Sequence, residues 1–460
     1  MELFTNIINE ANYVLWTYVL VVMLLGCAIW FSVKTRFVQF RMLGEMIRLL
    51  GDSTAKINGH EKHISSFQAF AISLASCVGT GNLAGVATAL TVGGPGAIFW
   101  MWIIALLGSS SAFVESTLAQ LFKVKGKHSY VGGPAYYMER GLKKRWMGVL
   151  FAVLITITFG LAFNSVQSNT MSAALQSAFS IEPLNSGIVI SVLTLVIIFG
   201  GVHRIAAISS VIVPVMAVGY IALANIDRIP AVVEQIVGNA FGWHQAVGGG
   251  IGTALMQGIK RGLFSNEAGM GSAPNAAATA HVTHPAKQGF IQALGVFTDT
   301  LLICSCTAFI ILFGEDYIGS GLDGIQLTQA ALTSEVGNIG GIYVAIATLF
   351  FAYSSILGNY YYGEANIRFF TSRQWPVVLY RMLVGGMVLF GSLASLNLVW
   401  NLADVTMALM SICNLIAISL LGKYAFRLLD DYLAQKRKGI KSPVFHKEQM
   451  KDIEQDLECW

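Results

Sequence analysis

Apolar residues in this chain gather into long unbroken runs rather than alternating with polar ones, a pattern that excludes an outer-membrane barrel. A hydrocarbon core of about 30 Å needs about 20 helical residues. Scanned with that length, the sequence predicts eleven helices near 13–33, 66–90, 96–122, 146–176, 186–201, 204–226, 246–282 (interrupted), 288–313, 338–366, 376–393 and 398–425. The run at 186–201 is the shortest, and the longest runs tilt or extend past the lipid. The connections between runs differ in charge. Lys34, Arg36, Arg41, Arg48, Lys56 and Lys62 follow the first run, and Lys123 to Arg145 follow the third. Arg204, Lys287, Arg368, Arg373 and the tail from Lys423 to Lys451 fall on that same side. The opposite connections hold Arg228 beside Glu182, Asp227, Glu234, Glu315, Asp316, Asp323 and Glu335. Basic connections mark the cytoplasmic side, so the sequence predicts an external N-terminus and a cytoplasmic C-terminus in a multi-pass protein of the cell (inner or plasma) membrane. One missed span would reverse every later loop and erase the bias.

Composition agrees. Of 460 residues, 55% are hydrophobic and only 12% charged, about half the charge of a soluble domain. That excludes a cytosolic enzyme, a secreted disulfide module and a disordered chain. Cys27, Cys77, Cys304, Cys306, Cys413 and Cys459 show no CxxC spacing and no His neighbours, and read as inert thiols rather than a disulfide or metal framework. The opening MELFTNIINEANY lacks the positive charge of a signal peptide. A net charge of +4 without a polybasic block gives no reason to expect nucleic acid. The segment after Phe426, with Lys436 to Lys438, reads as a solvated or interfacial tail.

Two runs carry helix-breaking residues where lipid tolerates them least. The second contains Ser73-Leu-Ala-Ser-Cys-Val-Gly79-Thr80-Gly81-Asn82-Leu-Ala-Gly85, and the seventh contains Gly262-Leu-Phe-Ser265-Asn266-Glu267-Ala-Gly269-Met270-Gly271-Ser272-Ala-Pro274-Asn275. Glycine costs a helix interior up to about 1 kcal/mol and proline about 3. Non-helical backbone at membrane depth survives only around a cavity. Small-residue packing, for which Gly81 and Gly85 have the right spacing, is the bland reading of the second run; it explains the seventh poorly. Ser272 followed by Pro274 predicts a new helix start. Setting the first run aside leaves five in 66–226 and five in 246–425, separated by the external connection 227–245. Five is odd, so the two sets have opposite topology, and a break opening each set is the pattern of inverted-repeat secondary transporters. The flanking pieces are an N-terminal run with its basic connection, 1–65, and a cytoplasmic tail, 426–460. In such a fold, amides at half-helix ends suit a carboxylate and freed carbonyls suit a small cation.

Further polar residues lie within spans. Asn164, Gln167 and Ser168 share one helical face, either bonding a neighbouring helix or walling a pocket. Ser354 and Ser355 sit together in the ninth run, five residues before Asn359 in the case of Ser354; serines also back-bond to their own helix. The intramembrane charges are Glu115, Lys260, Arg261, Glu267, Asp299, Glu364 and Asp404, each costly unless paired or hydrated. Lys260, Arg261 and Glu267 are expected in internal ion pairs, Glu115 and Glu364 in hydrated positions, and Asp299 and Asp404 are the candidates for a proton relay.

Gly79-Thr-Gly-Asn82, Gly93-Gly-Pro-Gly96 and, above all, Gly258-Ile-Lys-Arg-Gly-Leu-Phe-Ser-Asn-Glu-Ala-Gly-Met-Gly-Ser272 resemble the alanine or glycine:cation symporter family. The resemblance extends over the whole chain. It implies an all-α polytopic membrane protein of eleven transmembrane helices, a 5+5 inverted repeat of leucine-transporter type plus one extra N-terminal helix. It also implies Na⁺-coupled uptake of a small neutral amino acid, with H⁺ as the alternative coupling ion, no other cofactor, and a monomeric transport unit. Carried over to this sequence, substrate contacts fall on Thr80, Gly81, Asn82, Gln167, Met270, Gly271 and Asn359. The Na⁺ ligands fall on the main-chain oxygens of Ala75 and Val78 and the hydroxyls of Ser354 and Ser355. Asn359 stands where the family pattern has an aromatic residue, which enlarges the site, adds a donor and an acceptor, and points to glutamine or asparagine beside alanine and glycine.

An ion channel would need a repeated pore element from several subunits. A membrane-embedded enzyme would need a signature such as HExxH, GxSxG or paired intramembrane aspartates, and none is present. Alternating-access symport is the function the sequence predicts.

Overall fold

The computed structural model describes residues 2–52, 64–126, 130–200, 228–241, 250–314 and 320–460. The sixth candidate span, 204–226, lies outside the described residues, as do Lys56, Lys62, Lys127, Arg204, Asp227, Glu315 and Asp316.

Seven described helices are long and apolar enough to cross a membrane: α1 (Asn6–Lys34), α4 (Gly96–Leu121), α5 (Arg145–Phe179), α10 (Ala286–Phe313), α12 (Asn338–Phe370), α13 (Trp375–Leu393) and α14 (Leu396–Arg437). An eighth apolar span is a pair, α2 (Ser66–Cys77) and α3 (Gly81–Gly93), bent by 52°. Besides short helices in the connections at Val38–Arg41, Leu43–Leu50 and Pro134–Arg140, there are α6 (Pro183–Gly200), α7 (Ile229–Ala240), α8 (Ile251–Asn266), α9 (Ala273–Ala277) and α11 (Gly324–Val336). Each described run of the sequence reading thus has its helix, with ends shifted by a few residues. The larger differences are α7, inside the expected connection 227–245, and α14, which continues past 425 because Leu428, Leu429 and Tyr432 find buried positions.

Local chemistry sets the starts. Ser65 and Gln68 form a reciprocal cap on α2, with Gln68 N donating to Ser65 Oγ at 3.1 Å and Ser65 N to Gln68 Oε1 at 2.9 Å. At the other break, Ser272 and Pro274 open α9 as expected, although the Ser272 hydroxyl turns to the Glu267 carboxylate instead of capping. The core is built around α4, with α8 and α10 lying along it. Glycine makes that approach feasible: a Cβ on Gly258 would lie 2.4 Å from the Ala97 carbonyl, and one on Gly289 would lie 2.7 Å from that of Phe113. Where the entry to α2 meets the exit of α9, Ile64 and Ala280 pair as a parallel bridge, and His281 N donates to Ile64 O at 3.0 Å.

The tail corrects the expectation of a solvated or interfacial segment. Phe445, Met450, Ile453 and Leu457 are buried. Phe445 N donates to Thr283 O at 2.9 Å, Trp460 Nε1 donates to Gln120 O at 3.1 Å, and Arg427 pairs with Asp452 at 2.9 Å. These apolar residues, spaced among the charges, fold the segment back over the face that carries the basic connections.

Candidate functional site

At the first break the chain leaves the helix at Val78, which is extended (φ −76°, ψ 98°). The carbonyls of Ala75 and Val78 are thereby turned toward α12, where Ser355 Oγ lies 3.4 Å and 3.2 Å from them and 3.0 Å from Phe351 O of its own helix. Ser354 behaves differently: its hydroxyl donates to Phe351 O at 2.8 Å. Three of the four expected cation ligands therefore converge, and the fourth is turned onto its own backbone. The space is tight. A Cβ on Gly79 would lie 2.4 Å from Ser355 Oγ and 3.0 Å from Gln167 Oε1.

One residue on, Thr80 N donates to Gln167 Oε1 at 3.1 Å, so the side chain expected from the α5 face does reach the break. The Thr80 hydroxyl is buried without a partner. Gly81 abuts the second broken span, with Phe264 Cδ1 2.9 Å from where its Cβ would stand. Phe264 packs at a tilt against Phe163 and Trp400, with ring centroids 4.4 and 4.6 Å apart. Asn359 is tied on both sides: Ser76 Oγ donates to its Oδ1 at 3.3 Å, and its Nδ2 donates to Asn164 Oδ1 at 3.0 Å.

Asn82 faces elsewhere. Its Oδ1 accepts from Gly79 N at 3.0 Å, and its Nδ2 lies 2.7 Å from Asp299 Oδ1 and 3.1 Å from Ser265 Oγ. Ser265 and Thr300 also donate to Asp299 Oδ2, at 2.5 and 3.1 Å. This knot of side chains joins the two broken spans to α10 and surrounds Asp299 with donors.

The second break turns through left-handed backbone at Glu267 (φ 58°), Gly269 (φ 83°) and Gly271 (φ 90°). Glycine adopts this conformation freely, whereas at Glu267 it stores strain. Met270 is fully buried. Gly271 lies against Asn414 of α14, Phe151 of α5 and Pro134 in the segment before α5, and not against Thr80 or Gln167. Glu115 corrects the expectation of a hydrated carboxylate: it is fully buried, accepts from Gly269 N at 3.1 Å and from Asn414 Nδ2 at 2.7 Å, and Asn414 Nδ2 also bonds Gly269 O at 3.0 Å. That clamp was not legible in the sequence, because nothing in it ties Glu115 to an asparagine 299 positions away. A narrow cavity runs beside it, lined in part by Ser73, Cys77, Glu115, Asn266, Glu267 and Gln292. Glu364 bonds Arg368 and Arg381 at 2.6 and 3.5 Å.

The expected ion pairs form with a different anion. Arg261 and Lys260 face Asp404 at 2.6 and 3.8 Å, whereas Glu267 bonds Ser272 and has no cation beside it among the described residues. Asp404 was the more distant choice in sequence, 143 positions from Arg261, and it is the carboxylate that α14 carries to their level.

A chain with two interrupted helices side by side, polar groups gathered at both breaks and apolar helices around them is built as a secondary transporter. The sodium:alanine symporter family model matches residues 1–447, and the chain belongs to that family. It is 54% identical over 465 residues, covering all of this chain and 96% of the relative, to the probable sodium/glutamine symporter GlnT of Bacillus subtilis. It is 50% identical to the amino-acid carrier protein AlsT of the same organism, over 99% of this chain and 98% of that one. With the sodium/alanine symporter AgcS of Methanococcus maripaludis the identity is 38%, over 91% and 95%. Among solved structures, MhsT in complex with L-phenylalanine superposes with a TM-score of 0.52 at 16% identity, covering 81% of this chain and 99% of that one. A manganese transporter of Eremococcus coleocola gives 0.52 at 14%, covering 82% and 81%. These last two share the fold, which is of leucine-transporter type. The chain is a multi-pass membrane protein and a cation-coupled amino-acid symporter, not an enzyme.

Proposed function

We propose that this protein carries a small neutral amino acid into the cell together with Na⁺, one chain forming the transport unit and the basic face lying in the cytoplasm. The observation that carries the reading is the meeting of Ser355 with the carbonyls of Ala75 and Val78, one residue from the Gln167–Thr80 contact. Carbonyl and hydroxyl oxygens with no charge of their own suit a monovalent cation. Na⁺ at Ala75, Val78 and Ser355, joined by Ser354 if its hydroxyl rotates off Phe351, ties α2 to α12 and fixes the break.

The fixed break then offers amides to the substrate. The substrate carboxylate takes the amide of Thr80 from Gln167 and extends to Gly81, while the freed Gln167 side chain turns to the ligand. The Thr80 hydroxyl, buried without a partner, supports that role. Met270 of the second break closes the site around the side chain, Asn82 holds the first break to the second, and Asn359 sets the length and polarity of the substrate. An amide at that position favours glutamine or asparagine beside alanine and glycine, and the relative named a sodium/glutamine symporter supports the same direction. No group of three or more His, Cys, Asp or Glu able to hold a metal ion occurs among the described residues.

Purified protein in liposomes tests this. An inward Na⁺ gradient should drive accumulation of labelled alanine, excess glutamine should suppress it, and a proton gradient alone should not drive it. Accumulation that follows the proton gradient would instead assign coupling to H⁺, with Asp299 the first residue to examine. Indifference to excess glutamine would remove the larger substrates.

A further inference from the structure

We propose that the segment Ser442–Trp460 is a strap that holds α2 closed against its neighbours on the basic face and slows turnover by slowing the opening of the molecule to that side. The inference goes beyond the transport reading above and needs no particular substrate or coupling ion. The strap is anchored on elements other than the two broken spans. Lys287 Nζ, at the start of α10, donates to Ser442 Oγ at 2.7 Å, and the Thr283 hydroxyl donates to Pro443 O at 2.8 Å. Further along, Asp456 pairs with Lys143, and Glu458 pairs with Arg140 at 2.8 Å, both in the connection between α4 and α5.

From these anchors the strap reaches the entry of α2. Ala69 of α2 forms a small apolar cluster with Ala280 and Val282, and Ile64 and Trp460 pack against it. The same indole is fixed to α4: besides the Nε1 bond to Gln120 O, its ring lies 4.6 Å from Lys123 Nζ, which donates to Gln120 Oε1 at 2.8 Å and to Ala280 O at 3.1 Å. Phe445, bonded through its amide to Thr283, supports the other side of the indole, with ring centroids 5.5 Å apart. Trp460 therefore joins the end of α4, the exit of α9 and the entry of α2 in one contact.

That junction bears on access to the breaks. Phe70, Ser73, Leu74 and Cys77 all line the narrow cavity beside the second break, and their spacing puts them on one face of α2. The cavity's other walls come from α4, the second break and α10. Widening it toward the basic face means parting the entry of α2 from the exit of α9 and the start of α10, the elements that the strap spans. Apart from side-chain packing, a single isolated bridge, Ile64 to Ala280, joins the first two. An opening that must also break the strap's contacts is rarer by their free energy. Exposed ion pairs contribute little each, so most of the hold falls on the packed indole. Few apolar anchors and an exposed ring of charges describe a part that docks and undocks, rather than a piece of the core.

Reaction of Cys77 with N-ethylmaleimide, followed by peptide mass spectrometry on the purified protein in Na⁺-free choline chloride, reads the opening of the cavity that Cys77 lines. Trp460→Ala should speed it at least about fivefold. In liposomes the same variant should raise Vmax for Na⁺-driven alanine uptake at least about twofold, with KM within about twofold. Asp456→Lys/Glu458→Lys, which sets like charges against Lys143 and Arg140, should act in the same direction and serves alone if Trp460→Ala does not fold. Adding Lys143→Glu/Arg140→Glu to that double variant should return labelling and Vmax toward wild type, which a loss of general stability would not do. Unchanged labelling in folded variants would overturn the strap. So would a Vmax that stays level or falls while labelling quickens, or a charge swap that restores neither rate. Labelling needs neither Na⁺ nor substrate, so failure of the Na⁺ site proposed above would leave it standing.

Discussion

Single side chains at the first break carry most of the proposed chemistry, and their effects should be separable. Ser355→Ala removes the one side-chain oxygen aimed at both freed carbonyls. A contact to a charged group contributes about 1.5–3 kcal/mol, so the Na⁺ concentration for half-maximal uptake should rise by at least about tenfold. Ser354→Ala, whose hydroxyl is held by its own helix, should shift it much less; equal shifts would mean both serines ligate. Gly79→Ala should abolish uptake in protein that still reaches the membrane, because the new methyl would sit 2.4 Å from Ser355 Oγ. Normal uptake in Gly79→Ala would contradict the close approach of the two spans. What could be read from the sequence here was residue type and neighbourhood: Gly-Thr-Gly-Asn within an apolar run exposes backbone, and paired serines supply hydroxyls. What could not be read was side-chain direction. Ser354 and Ser355 both reach Phe351 O, yet only Ser355, one helical step of about 100° further on, also meets the freed carbonyls, and Asn82 divides its amide between Gly79 N and Asp299.

Helices and their contacts were legible where periodicity or interruption marks them, and illegible where two distant segments must meet. The broken spans announced themselves through glycine, proline and polar residues in lipid-length runs. The clamp of Glu115 on Gly269 and Asn414, and the return of the tail onto the basic face, depend on long-range packing that a hydropathy scan does not contain. Helix contacts through glycine allow a stability test. Gly391→Ala would place a methyl 2.2 Å from the Ser165 carbonyl where α5 meets α13, and a collision with backbone has no side-chain escape. The apparent Tm should fall by several degrees, consistent with an overpacking cost of about 1–3 kcal/mol; an unchanged Tm would show that the two helices part easily. The docked tail makes a pH prediction. Lys123, just beyond α4, is enclosed by Gln120 and Ala280 O and lies over the Tyr130 and Trp460 rings. Burial lowers its ammonium to about 7, with nearby Cys459 acting weakly in the opposite sense. An unfolded lysine titrates near about 10.4. Between these values the unfolded chain binds the extra proton, so this group's contribution to stability rises from pH 7 toward 10 and is flat below. Lys123→Met should flatten that part of the Tm–pH curve, and a slope identical to wild type would deny Lys123 the role.

The whole molecule works, in this account, because the same piece of unwound backbone serves two ligands. On the proposed reading the carbonyls of Ala75 and Val78 serve the cation and the amides of Thr80 and Gly81 the substrate, with only Gly79 between the two sets. Such sharing predicts a reciprocal linkage: whatever factor Na⁺ adds to amino-acid affinity, the amino acid must add to Na⁺ affinity. The two interrupted spans and the signature around Gly258 to Ser272 made the transporter class legible in the sequence. For coupling, the resemblance supplied the residues, and the structure adds that Ser355 and Gln167 approach the break from different helices. Equilibrium binding of labelled alanine to the purified protein, measured in NaCl and in choline chloride and paired with Na⁺ binding measured with and without alanine, addresses this most directly. Each ligand should bind at least about tenfold more tightly in the presence of the other, by the same factor. Alanine binding with equal affinity in choline and in sodium would contradict it.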